Sequence, residues 1–267
     1  MTRIVIHAGF HKTGTTSVQA MLDANRRVLS RQYQVFLKDD FEDLTKCARE
    51  FSVDPTPKML TKVIHAAAVF FDSLDPTDPR PILMSSEDLC GNMPGRRGLD
   101  RYDAASLVLS QLAEAAQLRF GPDTDLTFYL STRSREAWLK STWWQNLRST
   151  RLTLDFDAYS QQIAAAADLD QVLEDMAEIT AGARVTSCPL ETSSPTAFGP
   201  LTPILDLLDV PEVTRQKLKT LPPANVQPEI GLDLVFLALN RSDLTDDNLA
   251  EAKRTLRRLA NKQSDSA

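Results

Sequence analysis

Four short apolar runs, each followed by a stretch with helical spacing, constrain this chain more than any other feature. Residues 3–8 (RIVIHA), 81–86 (PILMSS), 125–132 (DLTFYLST) and 183–187 (ARVTS) read as strands. Residues 15–29 follow the first run, with Val18, Met21, Leu22, Val28 and Leu29 on a helical repeat. Residues 41–51 and 56–71, parted by Pro55 and Pro57, predict two more helices, and 101–120 another. A helix opens at Ser134, a residue suited to capping, with Glu136 placed to complement its dipole. Residues 156–166 and 169–180 are helical in pattern, as is the part from Thr196, apart from a Pro-marked loop at 221–228 and a polar tail at 263–267. Apolar strands alternating with helices predict an α/β fold with a parallel sheet covered on both faces. With 267 residues and 42% hydrophobic content, the chain can build this as one domain over 1–267.

In such a fold, ligands sit beyond the carboxyl ends of the strands. Three chemically loaded stretches fall there: 9–17, 85–88 and 131–141. The first reads GFHKTGTTS, with Gly9 and Gly14 permitting a tight turn. The N–H groups of residues 12–17 are expected to converge at the start of the first helix, where oriented amides and the helix dipole hold a phosphate. Thr15, Thr16 and Ser17 add hydroxyls. A nucleotide-hydrolysing loop carries lysine directly after its second glycine and a Mg²⁺-binding hydroxyl next. Here Thr15 stands in the lysine's place, and Lys12 lies inside the turn, within reach of a bridging or leaving oxygen.

Lys12-Thr13-Gly14-Thr15-Thr16 resembles, position by position, the 5′-phosphosulfate loop of sulfotransferases that use 3′-phosphoadenosine-5′-phosphosulfate (PAPS). His11 replaces the proline common before that lysine, and Ser17 replaces an aromatic residue, so the adenine-stacking partner is unassigned. The family holds the 3′-phosphate with an arginine at a strand end and a serine eight residues on. Arg133 and Ser141 have that spacing in RSREAWLKS. A planar guanidinium suits phosphate oxygens, but Ser141 lies about 12 Å along a straight helix, so Arg133 must reach along it. The resemblance, closest to bacterial sulfotransferase-like proteins, covers about 3–17 and 82–141 and implies a P-loop-type three-layer fold with a helical C-terminal part. It also implies PAPS as co-substrate, a hydroxyl-bearing small-molecule or glycan acceptor, and a cofactor contact near Asn225.

Met84-Ser85-Ser86-Glu87-Asp88 follows the second apolar run. A carboxylate at a strand end beside Lys12 can take the proton that an acceptor hydroxyl loses. By resemblance to the glycan-modifying branch, Glu87 has that role and Lys12 stabilises the leaving phosphate. A sulfuryl group carries less charge than a phosphoryl group, so positioned cations can replace a metal. His7, His11 and His65 form no ligand cluster with cysteine, and no metal is expected.

Two alternatives stay open. One is an ATP- and Mg²⁺-dependent small-molecule kinase with Asp88 in a Walker-B-like role. The other is a non-catalytic module that binds a nucleotide or a partner. Arg96, Arg97 and Arg101, in and after a glycine-rich loop, could line an acceptor pocket for an acidic sugar. Trp138, Trp143 and Trp144 are expected in the core, with one of the adjacent pair edging the site. Lys253, Arg254, Arg257 and Arg258 are expected to form a solvated face on the last helix. A net charge of −6 argues against nucleic acid or an anionic membrane as partner. Three scattered cysteines and no apolar run near 20 residues suit a soluble protein of the reducing cytoplasm. Nothing in the sequence speaks to oligomeric state.

Overall fold

A computed structural model of the protein describes residues 1–180, 182–222 and 231–264, with side chains through 260. Five parallel strands, β1 (Arg3–His7), β2 (Gln34–Leu37), β3 (Ile82–Ser85), β4 (Asp125–Thr132) and β5 (Arg184–Pro189), form one sheet in the order β2-β3-β1-β4-β5. The chain turns from one side of β1 to the other, so the carboxyl end of β1 opens between its neighbours, where α/β sheets place their ligands.

Alternation along β1 sorts the two layers. Ile4 and Ile6 face one core, built with α3 (Glu42–Val53), α4 (Pro57–Asp72), α5 (Ala105–Phe120), α6 (Arg135–Ser149), α7 (Phe156–Gln162) and α8 (Leu169–Ile179). Val5 faces the other, beneath α1 (Thr15–Ala24) and α2 (Arg26–Leu29). Beyond β5, α9 (Leu190–Ser193) is a single turn, and α10 (Thr202–Leu207) joins the second core beside α11 (Glu212–Arg215). Then α12 (Leu232–Asn240) returns to α6, where Phe236 stacks on Trp144 at 5.2 Å, and α13 (Asp246–Ser264) ends the described chain. The expected α/β architecture, with a parallel sheet between helices and a helical C-terminal part, is the one observed. Among the described residues no helix is long and apolar enough to cross a membrane.

Four local expectations change. β2 was not legible: QVFL is four residues long and becomes a strand by pairing with β3, Gln34 opposite Ile82. The first helix stops at Ala24 rather than 29, because buried Asn25 turns its side chain onto Met21 O and onto both backbone groups of Lys219. Ser134 stands at the N-cap of α6 without a capping bond from its side chain; its N–H donates to Glu191 at 3.1 Å. Lys253 is not solvated: it is 5% exposed and donates to the carbonyls of Leu147 (2.7 Å) and Thr150 (2.8 Å), closing the C-terminal end of α6. Asn225 lies outside the described residues, as does most of the polar tail.

Candidate functional site

β1 is hydrogen-bonded on both sides, so its end is rigid, and the chain leaves it through a turn that only certain backbones can make. Gly9 has φ +45°, and a Cβ there would meet Thr15 Cγ2 at 2.5 Å. Gly14 has φ +93°, with Leu190 and Pro200 pressed against it from the far wall. Lys12 adopts φ +68°, a left-handed conformation that costs a lysine roughly 1–2 kcal/mol. The loop is held there from several directions. Arg133 donates to Lys12 O (3.2 Å), Trp138 Nε1 to His11 O (2.9 Å), and the His11 N–H to Tyr102 (3.3 Å).

Thr13 belongs to this scaffold. Its side chain is fully buried and its hydroxyl binds Phe10 O (2.6 Å) and Ser131 Oγ (2.7 Å), so the hydroxyl expected to contact cofactor faces inward. The N–H of Ser17 is likewise taken, by Gly14 O at 3.0 Å. The N–H groups of Thr15 and Thr16, which open α1, have no acceptor among the described residues. An anion at this helix start is their natural partner. Beneath the loop, His7 is fully buried with Nδ1 2.8 Å from Ser85 Oγ. Burial pushes its pKa down to about 3, so it stays neutral.

The loop forms one wall of a cleft of about 960 Å³. His11, Lys12, Gly14, Thr15, Thr16 and Ser17 line it, and so do Glu87, Arg133 and Ser141. Three stretches separated by as many as 130 residues therefore meet in one space, as their strand-end positions required. Of the remaining candidates, Arg96 lines the cleft, whereas Arg97 and Arg101 are exposed outside it. Trp144 edges it while Trp138 and Trp143 are core.

Lys12 donates to Gln145 Oε1 at 3.5 Å, a long bond. Burial first, then the charges of Arg148, Arg133 and Arg96, lower its pKa to about 8, with Glu87 opposing. Glu87 is half-buried; Gln19 donates to its Oε2 at 2.6 Å, and Oε1 has no donor among the described residues. Asp88, its neighbour, has the opposite fate. Lys38 (2.5 Å) and Arg49 (2.8 Å) both bind its Oδ2, and His11 Nε2 lies 3.6 Å from Oδ1. Burial alone would raise this carboxyl; the nearby His11, the bond from Lys38 and the charge of Arg49 outweigh it and hold the pKa at about 2. A carboxylate already neutralised by two cations is a poor Mg²⁺ ligand.

The sequence reading missed Gln145 and Arg148. Both repeat from Ser141 at four and seven residues along α6, so they share its face, and that spacing was there to be used. It also missed the wall made by Leu190 and 196–200, whose place depends on the turn after β5. No protein-family model matches the chain, and no curated protein matches it in sequence. Among solved structures, a sulfotransferase from Alicyclobacillus acidocaldarius is similar over 95% of this chain and 99% of that one, at 16% identity and a TM-score of 0.46. A likeness that low assigns neither fold nor function.

Proposed function

We propose that the protein is a PAPS-dependent sulfotransferase acting on a hydroxyl acceptor, with the whole chain serving as one catalytic domain. The observation that carries the reading is the meeting, in one cleft, of a lysine-bearing phosphate loop with Arg133 and Ser141. Thr15, Thr16 and the first amides of α1 take the 5′-phosphate. Arg133 and Ser141 take the 3′-phosphate, and Arg133 is already anchored to the loop through Lys12 O. Phe198, on the wall that presses Pro200 against Gly14, offers the aromatic face for adenine that Ser17 does not.

In the reaction the acceptor oxygen forms a bond to sulfur as the bond from sulfur to the 5′-phosphate oxygen breaks. Glu87 takes the acceptor's proton on its unoccupied oxygen, while Gln19 fixes the other. Lys12 meets the charge that appears on the leaving phosphate. Burial first, and then crowding by three arginines, lowers its pKa in the free protein, and an arriving anion raises it again. His11 holds the loop against Asp88 and Tyr102 and borders the cofactor. The kinase alternative loses ground because Asp88 is committed to Lys38 and Arg49.

A thermal-shift titration tests the reading. Adenosine 3′,5′-bisphosphate is expected to stabilise the protein by about 2.7 kcal/mol at a 100-fold excess over its Kd, well beyond AMP or ATP with Mg²⁺ at the same concentration. A bisphosphate shift no larger than that of AMP overturns the Arg133 and Ser141 assignment.

A further inference from the structure

We propose that the acceptor carries a negative charge of its own, a carboxylate or sulfate near the reacting hydroxyl, and that Arg96 and Arg148 bind it. This rests on the sulfuryl-transfer reading above. Among the described residues, seven Lys and Arg side chains line the cleft against two carboxylates, on a chain whose net charge is −6. Most of these cations have other work. Lys38 and Arg49 neutralise Asp88, Lys140 pairs with Glu136 at 2.7 Å, and Lys12 and Arg133 belong to the loop.

Arg96 and Arg148 are left, and neither pairs with a carboxylate among the described residues, although the charge of Asp88 bears on Arg96. Arg96 is braced by neutral groups, Nε on Asn146 Oδ1 at 2.8 Å and a terminal nitrogen on Ser149 Oγ at 2.7 Å. That bracing fixes its guanidinium plane and leaves donors over. Arg148 has no hydrogen bond or ion pair among the described residues. The charges that bear on it, Arg257 and Arg96, are both positive. Both arginines are half-buried, and burial pulls each pKa below its usual value. Two partly desolvated guanidiniums beside one another repel, and an anion bridging them removes the repulsion and restores the lost solvation.

Their position separates them from the cofactor. Along α6 the residues that line the cleft include Ser141, Gln145 and Arg148, in that order. Gln145 is the residue Lys12 touches, and Arg148 lies two turns, about 10 Å, beyond Ser141. Lys12 therefore stands between the serine assigned to the 3′-phosphate and the unneutralised arginine. A second anion, on the acceptor side of the transfer centre, fits that place.

The test uses the full chain saturated with adenosine 3′,5′-bisphosphate, so that binding is read without turnover. Calorimetry compares matched pairs of hydroxyl compounds: methyl glucoside with methyl glucuronide, glucose with glucose 6-sulfate, and phenol with 4-hydroxybenzoate. The anionic member of at least one pair is expected to bind about tenfold or more tightly than its neutral partner. Arg148→Gln should erase that preference, Arg148→Lys should keep part of it, and bisphosphate affinity should change less than about twofold in both. Arg148 bonds to nothing described, so its replacement does not threaten the fold; Arg96→Gln is the second variant. The carboxylate and sulfate arms tell the two anion sources apart. Equal binding of neutral and anionic members across the panel, or a preference that survives Arg148→Gln, overturns the proposal. Failure of the bisphosphate to bind at all sinks the sulfotransferase reading first, and this one with it, and is seen before any acceptor is added.

Discussion

Two lysines among the described residues are pushed down to about 8 by burial, Lys12 in the loop after β1 and Lys253 on α13. Their surroundings differ in a way that separates chemistry from construction. Lys253 donates to two carbonyls at the end of α6, 2.7 and 2.8 Å away, and among the described residues the charge of Arg151 bears on it. Lys12 has one long contact, sits on a left-handed backbone and is crowded by Arg148, Arg133 and Arg96. A buried cation whose hydrogen bonds are made supports the fold. One whose surroundings are unfavourable until an anion arrives is a candidate binding or catalytic group.

Four measurements bear on that contrast. The largest effect belongs to Lys12→Met, expected to lower sulfuryl transfer roughly 10²–10³-fold while bisphosphate binding weakens less than tenfold; equal losses would reduce Lys12 to a cofactor contact. Next, Arg133→Gln should weaken bisphosphate binding by about 1.5–3 kcal/mol and leave AMP binding within about twofold, because the missing contact is to the 3′-phosphate. An equal loss for both ligands would move Arg133 to the loop's own support.

Third is a pH profile. A bound anion raises the Lys12 pKa from about 8, so above that pH binding must take up a proton. Bisphosphate affinity should then fall above pH 8 by less than about tenfold in all, the same loss expected of Lys12→Met, stay flat below it down to the phosphate's own titration, and lose the fall in that variant. The smallest effect is at the other lysine. Lys253→Met should cost about 1–2 kcal/mol as a lower urea midpoint, since Thr150 O loses its partner while Leu147 O keeps Asn240. A change in bisphosphate Kd in that variant would show that the two regions are coupled through α6.

Much of the site was legible in sequence because its parts are local. GFHKTGTTS needs only a strand before it and a helix after it, and the spacing of Arg133 and Ser141 marked out two residues that line the same cleft. What escaped was less local. β2 is four residues whose strand character comes from β3 beside it. Thr13 stood in the sequence as one position of the Lys12–Thr16 motif, and only the meeting with Ser131 of β4 shows its hydroxyl turned inward. Glu87 and Asp88 are adjacent acids of the same kind in sequence. Lys38 and Arg49, brought over from β2's end and α3, decide that Asp88 is neutralised while Glu87 keeps an open oxygen.

The sequence alone therefore determined the alternation of strands and helices, the tight glycine turn after the first strand and the gathering of three polar stretches at the strand ends. These follow from hydrophobic period, glycine placement and the rule for parallel sheets. Which charges are spent and which are left over was decided by the tertiary structure. Partnering of a buried charge depends on side chains that meet across the fold, and Asp88, Lys253 and Arg148 received their opposite fates there.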